Sequence, residues 1–328
     1  MYLRRGSGVV SAFSRRNARR RGGSRHQRRR STGPAGVEIQ FARRRRRPWL
    51  VIVPIVVAVF GYYVTQDGVA IAADHPRLPP RIATLPAWNH SATLLTGVRT
   101  VSQSSGWGPP LASAIRGYRL AYVTEFNGHT LPQGWMAFAG SPGSDPGSRW
   151  APSHVAVTNG LLRIETFRDS RFGNEWVSGG VCQCGRPRTY GAYFVRSRAT
   201  GPGPTQVELL WPTAGWPPEI DFDESYGATT MSMATTHFGR TNAQIQNTVS
   251  VDLTQWHTWG VIWTPTSITY TVDGRVWGHV TTPAAVPDQF MTLNIQQQTW
   301  CSSGWACPKA PQSLLVDWVA EYAPTTSG

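Results

Sequence analysis

Four carboxylates crowd into six residues of one short segment, PPEIDFDESYG, at residues 217–227. They are Glu219, Asp221, Asp223 and Glu224. Like charges this close raise one another's pKa, so a surface that only needs solubility rarely concentrates them in this way. Carboxyl groups with shifted pKa values commonly act as acids, bases or nucleophiles in enzymes. The segment is therefore a candidate catalytic site.

The alternation of acidic and apolar residues in this segment predicts a β-strand. Side chains of a regular strand alternate between faces, so Glu219 and Asp221 would lie opposite Ile220 and Phe222. Glu224 would then point into the core, where an unpaired carboxylate is costly or becomes neutral. A β-bulge after Asp221 would return Glu224 to the face of Glu219. We predict a bulged strand between a core and an open groove; a calcium loop or a solvated acidic edge is the alternative.

Two Glu side chains in a groove suit glycoside hydrolysis with retention of configuration. In such enzymes the two carboxyl groups lie about 5 to 5.5 Å apart, one acting as nucleophile and the other as acid and then base. Asp221 lies between Glu219 and Glu224 and can hydrogen-bond to the nucleophile. This couples the titrations, so that one Glu stays ionised while the other holds a proton.

Short alternating segments bounded by turn residues fill the chain from residue 119 onward and predict a β-rich fold. The predicted strands are LLRIETF (161–167), YGAYFVRSR (190–198), TQVELLW (205–211), HTWGVIW (257–263), SITYTV (267–272), RVWGHV (275–280), FMTLNIQQQ (290–298) and SLLVDWVAEY (313–322). Asp273-Gly274 between two of them is a strong hairpin signal. This many strands predicts one all-β domain, an antiparallel β-sandwich or jelly roll.

EIDFDE resembles the bulged E-x-D-x-x-E signature of glycoside hydrolase family 16. Further blocks similar to that family follow in its order: TEFNG (124–128), YGAYFVRSR, ELLWPTAGWPP, TTHFG (235–239), LTQWHTWGVIW, ITYTVDG, LNIQQQ and LLVDWVAEY. The resemblance covers residues 116–326 and implies a concanavalin A-like jelly roll with a sugar-binding groove. It implies an endo-acting enzyme, expected to be a monomer, that cleaves β-1,3 or mixed β-1,3/1,4-glucan without a cofactor.

The resemblance also assigns roles to individual residues. By position, Glu219 is the nucleophile, Asp221 its assisting carboxylate and Glu224 the acid/base. Candidate substrate-binding residues are His237 and Gln296 from the family blocks and, by proximity to those blocks, Trp176, Trp211, Trp216 and Trp300. For any single Trp, packing in the sandwich core is the alternative. Asp317 with the Gly160 carbonyl resembles the family's structural calcium site.

The positive charge of the chain lies almost wholly in its first 47 residues. This region has sixteen Arg, no Lys and one acid, Glu38, so residues 48–328 are close to neutral although the whole chain carries +14. With almost no apolar residues it is predicted to be a disordered cytoplasmic tail. The tail could contact anionic lipid or nucleic acid, or serve only to orient the chain in a membrane.

An uncharged apolar stretch follows directly after Arg43–Arg47, at residues 48–64. As a helix it would span roughly 25 Å, close to the ~30 Å hydrocarbon core of a bilayer. Arg residues on one side only predict that the N-terminus stays in the cytoplasm and that residues 48–66 anchor an extracytoplasmic domain. The alternative is a signal peptide cut near Ala72, which would release a secreted protein.

Export makes disulfides favourable for the four cysteines. Cys301 and Cys307 close a short loop and are the preferred pair. Cys182 and Cys184 lie only two positions apart, and their pairing stays open; a zinc site is a further alternative without a nearby His. Residues 67–115, rich in Pro, Ser, Thr and Gly, are predicted to be a linker.

Three further functions compete with the hydrolase. A transglycosylase would pass the covalent intermediate to a sugar hydroxyl while remodelling a cell-surface polysaccharide. A carbohydrate-binding protein with weak or no catalysis would gain nothing from retaining three mutually repelling acids. A nucleic-acid-binding domain is excluded because the near-neutral domain lacks a positive face.

Overall fold

The computed structural model describes residues 95–142 and 147–325, and these form mainly strands and turns. In this part of the chain no helix is long and apolar enough to cross a membrane. The predicted tail (1–47), the predicted anchor (48–66), most of the predicted linker and the alternative cleavage site at Ala72 lie outside the described residues.

Two antiparallel sheets make up the domain. Strands of the first, seven-stranded sheet are β4 (Met136–Ala137), β8 (Gly180–Cys182), β10 (Thr205–Pro212), β11 (Glu219–Glu224), β12 (Met231–Phe238), β13 (Ala243–Ser250) and β17 (Met291–Gln298). Their spatial order is β13, β12, β11, β10, β17, β8 and β4. The predicted acidic strand therefore lies near the middle of its sheet.

The second sheet has nine strands. They are β3 (Tyr118–Thr124), β5 (Val155–Thr158), β6 (Leu161–Asp169), β7 (Glu175–Val177), β9 (Gly191–Ala199), β14 (His257–Trp263), β15 (Ile268–Val272), β16 (Arg275–Val280) and β18 (Gln312–Pro324). Their order is β16, β15, β14, β9, β18, β6 and β5, with β3 beside β18 and β7 beside β6. A separate pair joins β1 (Val98–Arg99) to β2 (Trp107–Gly108).

Short 3₁₀ turns link some of these strands. They lie at Ala112–Ala114, Pro152–His154, Ser170–Phe172, Pro283–Ala285 and Cys301–Ser303.

The eight strand segments predicted from the sequence are all strands, as β6, β9, β10 and β14 to β18. Asp273 and Gly274 both have positive φ, 48° and 75°, as expected for the predicted hairpin turn. The predicted all-β antiparallel sandwich is therefore confirmed.

Alternating side chains on β17 show how one strand serves two faces. Met291, Leu293 and Ile295 belong to the main hydrophobic cluster, which fills the space between the sheets. Asn294 and Gln296 alternate with them and point to the opposite side. We call this opposite side of the seven-stranded sheet the acid face, because β11 presents its acids there.

Residues 95–115, predicted to belong to the linker, pack on the outer face of the nine-stranded sheet. Ile115 is buried in a second cluster with Phe194, Trp318 and Tyr322. The backbone carbonyl of Trp107 accepts a hydrogen bond from Trp318 Nε1 at 2.6 Å. The domain thus begins before residue 116, because buried aromatic rings of the sheet need this cover.

The structure shows how all four cysteines pair. Cys301 and Cys307 form a disulfide, as predicted, and Cys182 also bonds to Cys184. The second pair is compatible with the fold because β8 ends at Cys182. Cys184 lies in the turn that follows, and its Cα is 5.1 Å from that of Cys182, within the range that a disulfide spans.

Candidate active site

The predicted bulge lies on β11, between Asp221 and Glu224. Asp221 pairs with Thr235 of β12 and Glu224 pairs with Met233, so three steps on β11 oppose two on β12. This extra residue returns Glu224 to the side on which Glu219 lies. The predicted bulge is confirmed, and the three acids share the acid face.

Asp223, the fourth carboxylate, lies on the core side and is fully buried. Its Oδ2 accepts a hydrogen bond from Gln206 Nε2 at 2.7 Å, and its Oδ1 accepts one from Ser232 Oγ at 2.5 Å. The same Ser232 Oγ accepts the backbone N–H of Glu224 at 3.1 Å. Asp223 therefore anchors the backbone of Glu224 through Ser232.

A fifth carboxylate, Glu208 of β10, lies opposite Asp223 in the register and is also fully buried. Burial, together with the nearby charge of Asp223, raises the pKa of Glu208 well above its usual range. Burial also raises the pKa of Asp223 to about 6, although the hydrogen bonds of Ser232 and Gln206 oppose this shift. Burial among these groups therefore favours the neutral form of Glu208.

Glu219 has an indole donor. Trp216 Nε1 donates to Glu219 Oε2 at 2.7 Å, and the ring of Trp211 stacks on Trp216 with centroids 6.3 Å apart. Burial and the charge of Asp221 raise the pKa of Glu219 to about 8, while the Trp216 bond and His237 oppose this rise. The indole N–H thus favours the ionised form of Glu219.

Asp221 lies between the two Glu residues and is almost fully buried. Burial raises its pKa to about 7, opposed by a hydrogen bond with Glu219. His237 Nε2 lies 3.2 Å from Asp221 Oδ2. His237 Nδ1 lies 2.7 Å from Asn242 Oδ1, which orients the ring. Glu219, Asp221 and His237 therefore form one connected group on the acid face.

Glu224 has a phenol partner. Burial and Asp221 raise the pKa of Glu224 to about 8, and a hydrogen bond with Tyr226 opposes the rise. Burial and the nearby acids raise the pKa of Tyr226 well above its usual range, so the phenol stays protonated and donates. The three acids together hold fewer than three charges at neutral pH.

Polar side chains extend the acid face across neighbouring strands. Val207 of β10 pairs with Glu224 on one side and with Gln296 of β17 on the other. Gln296 therefore lies in the same cross-strand row as Glu224, with Asn294 and Gln298 along its own strand. The predicted polar face of β17 is confirmed, whereas a sugar-binding role for Gln296 stays a prediction.

The predicted Trp residues are distributed among different places. Trp216 and Trp211 lie beside Glu219 and are 46% and 39% exposed. Trp300 lies in the loop after β17 and stacks on Trp305. Trp176 lies on the β6–β7 hairpin, where the guanidinium of Arg168 is 5.0 Å from its ring centroid. Within the described contacts, Trp176 is not joined to the acids.

Two places could be considered for a metal. Ligand atoms of Glu219, Asp221 and His237 lie within 4.8 Å of one another, but these groups already bond to each other and to Trp216. At the predicted calcium site, Asp317 Oδ2 accepts from both the N–H and the Oγ of Ser105. Asp317 Oδ1 is buried and has no hydrogen-bond partner among the described residues, so calcium at Asp317 and the Gly160 carbonyl stays a prediction.

Tyr226 and Trp305 are not among the residues that the sequence predicted for the site. Tyr226 follows the acidic strand directly, and its ring lies 5.8 Å from that of Trp305. An aromatic residue two positions after the last acid was the available signal for Tyr226. For Trp305 the available sequence signal was its position inside the loop between Cys301 and Cys307.

Two Glu carboxyl groups on one open face, with an Asp between them, are compatible with glycoside hydrolysis. Comparison with known families agrees with this class. The model for "Glycosyl hydrolases family 16" matches residues 144–320, more than half of the chain. The chain belongs to glycosyl hydrolases family 16.

Individual relatives share the fold or part of the sequence. The endo-1,3-1,4-β-glycanase ExsH of Rhizobium meliloti is 30% identical in a match that covers 43% of this chain, and the chain spans 33% of that relative's length. The laminarinase from Rhodothermus marinus is 24% identical, with a TM-score of 0.57 over 64% of this chain and 98% of its own. The endo-β-1,3(4)-glucanase SCLam is also 24% identical, with a TM-score of 0.56 over 64% and 92%.

Proposed function

We propose that this protein is an endo-acting glycoside hydrolase that cleaves β-1,3 or mixed β-1,3/1,4-glucan with retention of configuration. The observation that carries the proposal is the β11 bulge, which aligns Glu219, Asp221 and Glu224 on the acid face. Family membership supports the reaction class. The activities in the names of ExsH and of the two structural relatives support the choice of glucan.

In the first step, the Glu219 carboxylate attacks the anomeric carbon while Glu224 gives its proton to the glycosidic oxygen. The bond from the anomeric carbon to that oxygen breaks, and a covalent glycosyl ester forms on Glu219. The Trp216 N–H stabilises the ionised nucleophile. The hydrogen bond between Asp221 and Glu219 links their titrations, and Glu219 attacks in the form in which it has lost its proton.

In the second step, Glu224, now ionised, takes a proton from water as the water oxygen attacks the anomeric carbon. The ester bond to Glu219 breaks, and the two inversions together retain the configuration. Tyr226 and the backbone bond to Ser232 keep Glu224 in place through both steps. None of these steps requires a metal or an organic cofactor.

We further propose that the protein is membrane-anchored, with the catalytic domain outside the cytoplasm. The uncharged residues 48–64 after Arg43–Arg47 support this arrangement. Extraction with alkaline carbonate and proteolysis of intact cells should find the domain membrane-bound and accessible from outside. A soluble product that begins just after Ala72 would favour secretion instead.

The activity is tested by incubating the purified protein with laminarin, lichenan, agarose and chitin, with Glu219→Gln as the control. New reducing ends from laminarin or lichenan, lost in the variant, are the expected result. Redistribution of chain lengths without new ends would make the protein a transglycosylase. Binding without any turnover would make it a carbohydrate-binding protein.

A further inference from the structure

An aromatic wall stands beside Glu224, formed by Tyr226, Trp300 and Trp305. Trp300 and Trp305 stack with ring centroids 4.7 Å apart and planes 14° from parallel. Tyr226 lies 5.8 Å from Trp305 with an interplanar angle of 30°. Trp305 nevertheless remains 37% exposed. An exposed indole in an ordered stack is available to a ligand.

The Cys301–Cys307 disulfide closes the loop that carries both indoles. Inside it, the Trp300 N–H donates to the Ala306 carbonyl at 3.2 Å, and the Trp305 N–H donates to the Trp300 carbonyl at 3.4 Å. These bonds and the disulfide fix the loop although it contains no long strand or helix. The position of Trp305 is therefore built into the loop.

Close backbone contact holds this loop against the acidic strand. A Cβ at Gly227 would lie 2.8 Å from Ala306 Cα and 2.6 Å from the Gly203 carbonyl oxygen. Gly227 has φ of 79°, so only a residue without a side chain is well accommodated there. The loop and the end of the acidic segment are thus packed directly against each other.

The wall is continuous with the catalytic acids. Tyr226 lies two residues after Glu224, the last residue of β11, and its ring contacts that of Trp305. A hydrogen bond from Tyr226 also lowers the pKa of Glu224. A ligand that reaches Glu224 therefore lies next to the wall.

The nearby carboxylates favour a neutral ligand over an anionic one. Exposed aromatic rings can stack either nucleobases or sugar rings, but a nucleic acid would bring its phosphates to a cluster of carboxylates. A neutral pyranose carries no charge, and its C–H groups pack on an indole while its hydroxyls accept or donate hydrogen bonds. The surroundings of Trp305 thus fit a neutral glycan.

We propose that the aromatic wall is a binding subsite for one pyranose unit of the glycan, on the Glu224 side of the acids, and that Trp305 is its main contact. The inference rests on the proposed hydrolase function and adds a specificity residue to it. Since the subsite lies beyond the acids, only chains long enough to reach it gain affinity from it.

The test compares full-length wild-type protein with Trp305→Ala and with a matched control, Trp256→Ala. Trp256 packs on Arg198 of the nine-stranded sheet, with 5.3 Å between the guanidinium carbon and the ring centroid. The substrates are β-1,3-linked and mixed-linkage glucan oligosaccharides of increasing length. We expect Trp305→Ala to lower kcat/KM for the longest chains about tenfold, mainly through KM, and to leave the shortest cleaved chain unchanged; tenfold equals about 1.4 kcal/mol. Trp256→Ala should show no dependence on length.

A double variant, Cys301→Ser with Cys307→Ser, should show the same length-dependent loss because it frees the loop. If Trp305→Ala lowers kcat/KM equally for oligosaccharides of every length, or does not lower it at all, the proposed subsite is wrong. If wild-type protein cleaves no glucan, the proposed function fails, and calorimetric binding of the longest oligosaccharide then tests the wall. Weaker binding by Trp305→Ala would support it, and equal binding would refute it.

Discussion

The indole Nε1 of Trp216 lies 2.7 Å from Glu219 Oε2 and donates a hydrogen bond to it. They are three positions apart along the chain, so the donor and the candidate nucleophile are supplied by one short segment. The bond stabilises the ionised form of a carboxyl group whose pKa burial raises to about 8.

Trp216→Phe should therefore weaken catalysis without removing the nucleophile. A hydrogen bond to a charged group contributes about 1.5–3 kcal/mol, so kcat/KM should fall roughly 10- to 100-fold. Loss of the donor also raises the pKa of Glu219, so the acid limb of the pH–rate profile should move to higher pH. Trp211→Phe should leave that limb in place; an equal shift in both variants would contradict this role of the N–H.

Replacement of the two Glu residues should give different kinetic signatures. Glu219→Gln should abolish turnover and leave glycan binding largely intact. Glu224→Ala should slow natural substrates strongly but retain activity on aryl glycosides whose leaving groups need no proton. Rates with a series of aryl leaving groups check this, and an unchanged dependence on leaving-group acidity would count against an acid role for Glu224.

The raised pKa values make stability depend on pH. The pKa of Glu224 is about 8 in the folded state, against about 4.3 for an ordinary Glu, so the folded protein binds this proton more tightly. Its stabilising effect is complete below pH 4 and is lost as the pH rises towards 8. Glu224→Gln changes the free energy of unfolding by removing this group. The change should be more stabilising at pH 8 than at pH 5, by more than about 1 kcal/mol. Urea unfolding at both pH values measures this difference. A larger stabilisation at pH 5 than at pH 8 would contradict the raised pKa of Glu224.

Ser232 is predicted to be a positioning residue for Glu224. Ser232→Ala removes the acceptor of the Glu224 N–H and a donor to Asp223, so kcat should fall about tenfold while KM changes little. Ser105→Ala is a matched control, since its Oγ also lies 2.5 Å from a buried Asp, Asp317, on the other sheet. Both variants should lose about 1–2 kcal/mol of stability, but only Ser232→Ala should lose kcat. A similar kcat for both would refute the positioning role.

Residues 95–115 should contribute to the stability of the domain. Ile115 is 5% exposed within the cluster around Trp318, so Ile115→Ala should cost about 2–4 kcal/mol. Leu111→Ala, at a side chain that is 58% exposed, should change stability by less than about 0.5 kcal/mol. Chemical unfolding compares the two, and equal small effects would mean that the segment is only loosely attached.

Local patterns in the sequence were sufficient to predict eight strands, the acidic strand β11 and its bulge. Alternation of side chains is a property of each strand by itself, so β6, β9, β10 and β14 to β18 could be located without knowing their partners. The bulge followed from Glu224 alone, because a carboxylate in the core beside Phe222 would be unfavourable. Strands β12 and β13 were not among the predicted segments, since Thr, Gln and Asn residues weaken their hydrophobic alternation.

Tertiary structure alone decided what depends on distant partners. Asp223 is held in the interior because Gln206 and Ser232, from two other strands, supply its donors. Ile115 is ordered because aromatic rings some 80 residues or more away need cover, and Trp305 meets Tyr226 because two loops pack backbone against backbone. The sequence by itself determined the acids and their strand, since their spacing is local. The donors to Asp223 and the aromatic wall were decided by the register of the sheets and the packing of loops.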